Sequence, residues 1–335
     1  MEYTLFLCFI LSFAITYLTI PFWIRACHRF KLTGADVHKH SKKKVAELGG
    51  IPILIGFIFG VFLYIGITTF FIEGIITEQL DQNLKIMATL VTILIATLIG
   101  TVDDIFGWKI GLKQWQKPIL MLVAAGPIMV INAGESLIGI PLIGSIDIGI
   151  LFPLILVPIA ITGTANGFNM IAGYNGLETG MGMIILTAFG YIAWINNYSW
   201  VTMLALCMAF ALAGFYMFNK IPAKIFGGDS LTYQVGALIG CIAILGNMEK
   251  TALLIFTPYI FEFLLKARGR FKKESFGKLN KDGSLSLRYK KIYGLEHVII
   301  ALKNKFGKKA YEKDVLIGLF LIQLLFIVLA FIYIF

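Results

Sequence analysis

The sequence predicts an all-α, polytopic integral membrane protein with about ten transmembrane helices. Three observations carry that prediction. The 335 residues are 58% hydrophobic and only 14% charged, whereas soluble domains carry charge on about a quarter of their residues. The apolar residues fall in runs of the ~17–25 residues that cross a bilayer as helix, without the alternating ten-residue segments of a membrane barrel. The basic residues are also sorted, with 27 of the 29 lying in alternate connecting loops.

The expected spans, in order, are 3–24, 50–72, 85–101, 117–132, 149–165, 180–195, 199–218, 231–246, 251–266 and 315–335. Pro118, Pro127, Pro153 and Pro158 fall in the fourth and fifth, where they remove backbone donors and blur the limits. Seven basic residues follow the first span, three (Lys109, Lys113, Lys117) the third, two (Lys220, Lys224) the seventh, and fifteen lie from Lys266 to Lys313. The intervening loops hold only Lys85 and Lys250. By the positive-inside rule the basic set is cytoplasmic, which puts both termini on the extracytoplasmic side. The first span lacks a basic leader and a small-residue cleavage site, so it reads as a retained helix.

Residues 1–335 read as one integral membrane domain, in which 267–314 is a large cytoplasmic loop. Asp282-Gly283 between Leu279 and Leu285 predicts a small hairpin there. Residues 298–306 have apolar positions at helical spacing with lysines between them, which predicts an amphipathic helix on the bilayer surface. On the other side, 138–150 is rich in glycine, proline and β-branched residues and predicts a short hairpin. The net charge of +10 belongs to the loops, where it sets topology and attracts anionic headgroups. No soluble basic domain exists to bind nucleic acid. Cys8, Cys27, Cys207 and Cys241 lack metal-ligand spacing and read as packing residues.

Four polar clusters interrupt the apolar chain: Asp103-Asp104, 166–178, 226–230 and the basic 266–313. Span counting puts all four at the cytoplasmic face, which predicts an active site there for a charged substrate. Adjacent helical residues point about 100° apart, so one of Asp103 and Asp104 enters the site while the other supports it. Asp229 follows Gly227-Gly228, which allow close backbone approach to a ligand. Mg²⁺ takes one or two carboxylates plus water and substrate phosphate. Asp229 with the amide oxygen of Asn169 would serve, with Mn²⁺ as an alternative. Residues 166–178 hold three asparagines and three glycines but no lysine or arginine. Such amides ligate metal or read a nucleobase edge. Lys113, ten residues after Asp103, is suited to neutralising phosphate oxygens. Trp108 and Trp115 read as headgroup anchors, and Glu262 as a local ion pair with Lys266.

At these residues the chain resembles the polyprenyl-phosphate N-acetylhexosamine-1-phosphate transferase superfamily, membrane enzymes of ten helices. The resemblance rests on Asp103-Asp104 followed by Lys113, on Asn166-x-x-Asn169 continuing to Asn175-Gly176-Leu177-Glu178, and on Phe218-Asn219-x-x-Pro222-Ala223-Lys224-Ile225-Phe226-x-Gly228-Asp229-Ser230. Gly34-x-Asp36 with Lys39, and Lys44-Val45-x-Glu47 before Gly49-Gly50, look like the dolichyl-phosphate branch. The last loop has only His297, where the bacterial branches carry a histidine-rich motif. The resemblance implies transfer of N-acetylglucosamine 1-phosphate (GlcNAc-1-phosphate) from UDP-GlcNAc to a polyprenyl phosphate, the dolichyl form being favoured, to begin N-glycan assembly. It also implies Asn169 and Asp229 at Mg²⁺, and Asp103, Asp104 and Lys113 at the reacting phosphates. Asn175 is implied at uracil, with Asn166, Glu47, Lys272 and Lys273 as further substrate contacts. A homodimer is compatible with it, as is residence in a cell membrane or, in a eukaryote, the endoplasmic reticulum.

Two rivals are an undecaprenyl-phosphate sugar-1-phosphate transferase of cell-envelope synthesis and a secondary transporter. Transporters place ionisable groups near the midplane on broken, repeated helices, and no internal repeat is visible here. The spaced glycine–aspartate signature of a CDP-alcohol phosphotransferase is absent.

Overall fold

A computed structural model of the chain describes residues 2–40, 44–71, 76–140 and 144–334. Its helices are α1 (Glu2–Phe30), α2 (Gly50–Phe71), α3 (Ile76–Ile110), α4 (Gln116–Val130), α5 (Val157–Met170), α6 (Leu177–Ile195), α7 (Ser199–Asn219), α8 (Gly228–Leu245), α9 (Glu249–Ile255), α10 (Thr257–Arg268), α11 (Leu295–Lys305) and α12 (Glu312–Ile334). A π-helical turn, Phe152–Leu156, leads into α5.

Among the described residues, eight helices are long and apolar enough to cross a bilayer. The protein is therefore a multi-pass, all-α integral membrane protein. Two expected spans take another form. The fourth is α4, an apolar helix of 15 residues. The ninth is split into α9 and α10, which meet at Phe256 with Pro258 in the first turn of α10. Proline supplies no N–H to carry the helical ladder across that point. The third is longer than expected, and α3 carries a non-helical break at Gly107 (φ 63°, ψ 176°).

Helix α8 is the core. Within its apolar window 89% is buried, against 33% for α1 and α12. Helices α2, α3 and α5 pack along it, α6 pairs with α7, and α1 lies against α2 and α7. Small residues let backbones approach where lipid supplies no hydrophobic drive between helices. A Cβ at Gly236 would lie 2.6 Å from Ala165 Cα. Outer helices show lipid their large side chains, such as Phe22, Leu321 and Ile332. All four cysteines are buried and unpaired, as packing residues should be.

Short hairpins decorate the bundle. Strands β1 (Thr33–Ala35) and β2 (Lys44–Ala46) pair antiparallel in the first loop, a hairpin not expected there. Strands β3 (Leu137–Ile140) and β4 (Gly144–Asp147) form within the segment expected to turn back. Strands β5 (Lys278–Leu279) and β6 (Leu285–Ser286) pair around Gly283, whose φ is 80°. Helix α11 forms near the amphipathic segment but is no free surface helix. Its Leu295, Glu296, His297 and Ile300 are buried, and it packs on α10 and α12. Glu262 of α10 accepts the Leu295 N–H at 2.6 Å, which satisfies a donor at its start.

The close pass of α3 over the start of α8 is testable. A Cβ at Gly100 would lie 2.5 Å from the Asp229 carbonyl carbon and the Ser230 nitrogen, whereas Gly66 has open space. Gly100→Val should destabilise the protein by about 1–3 kcal/mol through overpacking, and Gly66→Val should not. Thermal unfolding in detergent measures both; equal midpoints would contradict the packing.

Candidate active site

The site is built on the first turn of α8. Gly228 has φ +74°, and a Cβ there would sit 2.8 Å from the carboxyl carbon of Asp104, so only glycine fits. Asp104 Oδ1 accepts the N–H of Asp229 at 2.8 Å and Oδ2 that of Ser230 at 3.0 Å. Those N–H groups have no partner within the helix, and a carboxylate there also complements the helix dipole. Asp104 is thus the supporting member of the pair.

Asp103 is the other. Its Oδ1 accepts the Leu112 N–H at 2.6 Å, which closes the loop beyond the Gly107 break. Its Oδ2 meets Lys117 Nζ at 2.6 Å, and the same ammonium reaches Asp229 Oδ2 at 2.7 Å. One lysine therefore joins carboxylates from α3 and α8. It is Lys117, not Lys113, that the structure brings there. Lys113 is exposed, and its backbone N–H donates to Gln116 Oε1 at 2.8 Å at the start of α4. A sequence signal for Lys117 existed: a lysine in a helix's first turn opposes the dipole unless a carboxylate meets it.

Asn169, at the end of α5, accepts the Thr232 hydroxyl at 3.1 Å through Oδ1. Asn169 and Asp229 line a cavity of about 320 Å³ together with Asp36, Glu47, Asn175 and Glu178. Burial raises the pKa of Glu47. Asn175 Nδ2 donates to Asp36 Oδ2 at 2.8 Å, and its backbone N–H to Glu312 Oε1 at 3.1 Å. Glu312 Oε2 is paired in turn with Lys39 at 2.8 Å. His38 stacks on Tyr174 with ring centroids 4.1 Å apart. Burial pushes its pKa down to about 4, so the ring is neutral near neutral pH.

A second cleft of about 1060 Å³ adjoins the first, sharing Asn169, Ala172 and Phe276. Lys117, Lys266, Arg270, Lys272, Lys273 and Asn166 are among its polar lining residues, and Trp115, Pro118, Phe263 and Phe271 among its apolar ones. Asn166 Nδ2 is held by the Thr162 carbonyl at 2.9 Å. Glu262 is buried and lies 3.5 Å from Lys266, the local ion pair expected of it. Sequence reasoning missed the place of Lys117 and the link of Asp36 and Glu312 to Asn175.

The donor set suits a hard divalent cation. Asp229 offers a carboxylate and Asn169 an amide oxygen to one cavity, and Mg²⁺ needs little more from protein when water and phosphate complete its shell. Among the described residues no group of three or more His, Cys, Asp or Glu side chains gathers for a metal.

Asp104→Ala would leave the Asp229 and Ser230 N–H groups without their acceptor, and should cost about 1–3 kcal/mol of stability. Exposed Lys113→Ala should stay within about 0.5 kcal/mol. Denaturation in detergent distinguishes them, and equal losses would refute the division of roles.

The model of glycosyl transferase family 4 matches residues 86–247, which contain Asp103, Asp104, Lys117, Asn169, Asn175 and Asp229. A Saccharolobus solfataricus protein provisionally named UDP-N-acetylglucosamine–dolichyl-phosphate N-acetylglucosaminephosphotransferase is 36% identical over 96% of this chain and 94% of its own. A Sulfolobus acidocaldarius protein of the same provisional name is 34% identical over 96% and 93%. A phospho-N-acetylmuramoyl-pentapeptide-transferase of Streptococcus mutans is 30% identical over 76% of each chain. With the aspartate pair, the asparagine loop and the buried turn of α8 all inside the matched region, the chain belongs to glycosyl transferase family 4.

Proposed function

We propose that the protein transfers GlcNAc-1-phosphate from UDP-GlcNAc to dolichyl phosphate. The lipid phosphate oxygen attacks the β-phosphorus, the bond from that phosphorus to the bridging oxygen breaks, and UMP leaves carrying that oxygen on its phosphate. The product is dolichyl-pyrophosphoryl-GlcNAc. One observation carries this reading: Lys117 joins Asp103 and Asp229 beside two adjoining cavities, one amide-rich and one basic with an apolar wall. That arrangement suits a nucleotide, a diphosphate and a lipid tail meeting at one point. The similarity to the Saccharolobus and Sulfolobus proteins runs nearly end to end, and so supports the dolichyl substrate over the cell-wall one.

Phosphoryl transfer asks little covalent work of a protein, so positioning and charge neutralisation dominate. Lys117, shared by two carboxylates, offsets charge on the reacting phosphates, the role for which Lys113 stood out in the sequence. Asp103 orients Lys117 and with it the lipid phosphate. Asp104 acts through the turn it holds. Asn175 meets the uracil, and Lys272, Lys273 and Arg270 face the diphosphate and sugar. Asn166 and Glu47 stand at the edges of the two cavities. Asn169 and Asp229 would hold Mg²⁺, which supplies charge neutralisation at the diphosphate when bound. The polyprenyl chain lies along Trp115, Pro118 and Phe263. The polar groups sit at the ends of α3, α5, α6, α8 and α12 and not at mid-bundle, which disfavours a transporter. Their end of the bundle is the one with the basic loops, and so faces the cytoplasm, with both termini opposite.

Purified protein with dolichyl phosphate and radiolabelled UDP-GlcNAc should form a lipid-linked product, and excess chelator should abolish it. Lys117→Met should lower turnover roughly 10²–10³-fold, the scale for losing one charge-stabilising donor, and Lys113→Met far less. No product in the presence of Mg²⁺ or Mn²⁺ would sink the reaction, and full turnover in chelator the metal.

Orientation has its own test. The native cysteines are buried, so introduced ones report cleanly. Lys281→Cys should react with an impermeant thiol reagent from the cytoplasmic side only, and Glu78→Cys from the other. Reversed labelling would invert the topology.

A further inference from the structure

We propose that Asp36 fixes the side-chain amide of Asn175 so that its oxygen faces the 320 Å³ cavity, and that this makes the site select a pyrimidine with a ring N–H, uracil, over cytosine. The inference rests on the preceding assignment of Asn175 to the base and goes on to the residue that sets its choice. An asparagine amide presents an acceptor at one corner and donors at the other, and the two ends differ little in shape. Left free, it would turn to suit uracil, whose N3 carries a hydrogen, or cytosine, whose N3 is a bare acceptor.

Here it is not free. Asp36 Oδ2 lies 2.8 Å from the amide, and Asp36 Oδ1 accepts the His38 backbone N–H at 2.9 Å. A carboxylate only accepts, so the corner of Asn175 that faces it must be the NH₂ group. The backbone of Asn175 is pinned as well, by Glu312 at 3.1 Å, and Lys39 holds Glu312 at 2.8 Å. Asp36, Asn175 and Glu312 are all buried, so water does not compete for these bonds. Among the described residues no donor meets Asn175 Oδ1, and Asn175 lines the cavity. The oxygen is thus the group left to meet the ring. Asp36 does not touch the base in this account; it is a positioning residue acting through Asn175.

The sharpest variant is Asp36→Asn. The His38 N–H still requires an oxygen at that corner of residue 36, so the new NH₂ group turns toward Asn175. Asn175 must then offer its oxygen to residue 36 and its NH₂ to the cavity. Preference should move toward cytosine.

The test is equilibrium binding of UMP, CMP and N3-methyl-UMP to the full-length protein in detergent with Mg²⁺. Wild type should favour UMP over both others by roughly ten- to a hundredfold, the range for leaving one buried polar group unpaired. Asp36→Asn should lower the UMP-to-CMP ratio at least tenfold, and Asp36→Glu, which keeps an acceptor, should retain a preference for UMP. If Asp36→Asn weakens both nucleotides equally, the residue is merely structural and the proposal falls. If N3-methyl-UMP binds wild type as well as UMP does, the ring N–H is not read; this arm needs no variant to fold. If wild type binds neither UMP nor CMP, the nucleotide reading of the cavity fails, and this proposal with it.

Discussion

Two hydrogen bonds that the Asp104 carboxylate accepts from the first turn of α8 hold the rest of the site in place. Helix α8 is the most buried span of the bundle, and its free N–H groups cannot turn to water as those of a surface helix do. A carboxylate from α3 satisfies them. That bond fixes the height at which α8 begins, and with it the position of Asp229. The neighbouring residue of α3, Asp103, is thereby set beside Asp229, and Lys117 closes the group. The glycine at 228 follows from the same constraint, since any side chain would occupy the space of the Asp104 carboxyl.

Around that turn the loops are tied to one another. Phe226 donates its N–H to the Ala46 carbonyl at 2.8 Å and accepts that of Gly49 at 2.9 Å. The first loop is therefore joined by backbone bonds to the stretch just before α8. Through Asp36 and Lys39 it also reaches the asparagine loop and the first turn of α12. The cavity walls are thus contributed by loops and helix ends far apart in sequence.

The placement of charge obeys the bilayer. Ionisable groups in hydrocarbon are costly, and here Asp103, Asp229 and Lys117 offset one another at the bundle's end. There, in the proposed reaction, nucleotide and lipid phosphate would meet beside the two adjoining cavities. The basic residues of the last loop add a favourable field for both anions.

The sequence by itself determined the spans, the polar clusters at their ends, and the family. Burying unpaired backbone in lipid is so costly that each crossing must be a long apolar helix, a property read locally. Asp103, Asp229, Asn169 and Asn175 were legible for a similar reason: polar side chains and glycines at the edge of an apolar run have few other uses. The short α4 and the split ninth span were less so, because proline marks a weakness without saying where a helix stops. The roles of Asp103 and Asp104 needed the structure, since adjacency says only that they diverge. The choice between Lys113 and Lys117 was equally hidden. It turns on where α4 starts relative to α3, and one helical turn decides which ammonium reaches the carboxylates. Asp36, Asn175 and Glu312 lay further still from local inference. Their hydrogen bonds exist only because the bundle brings three distant segments together, and a directional bond of that kind is decided by tertiary geometry alone.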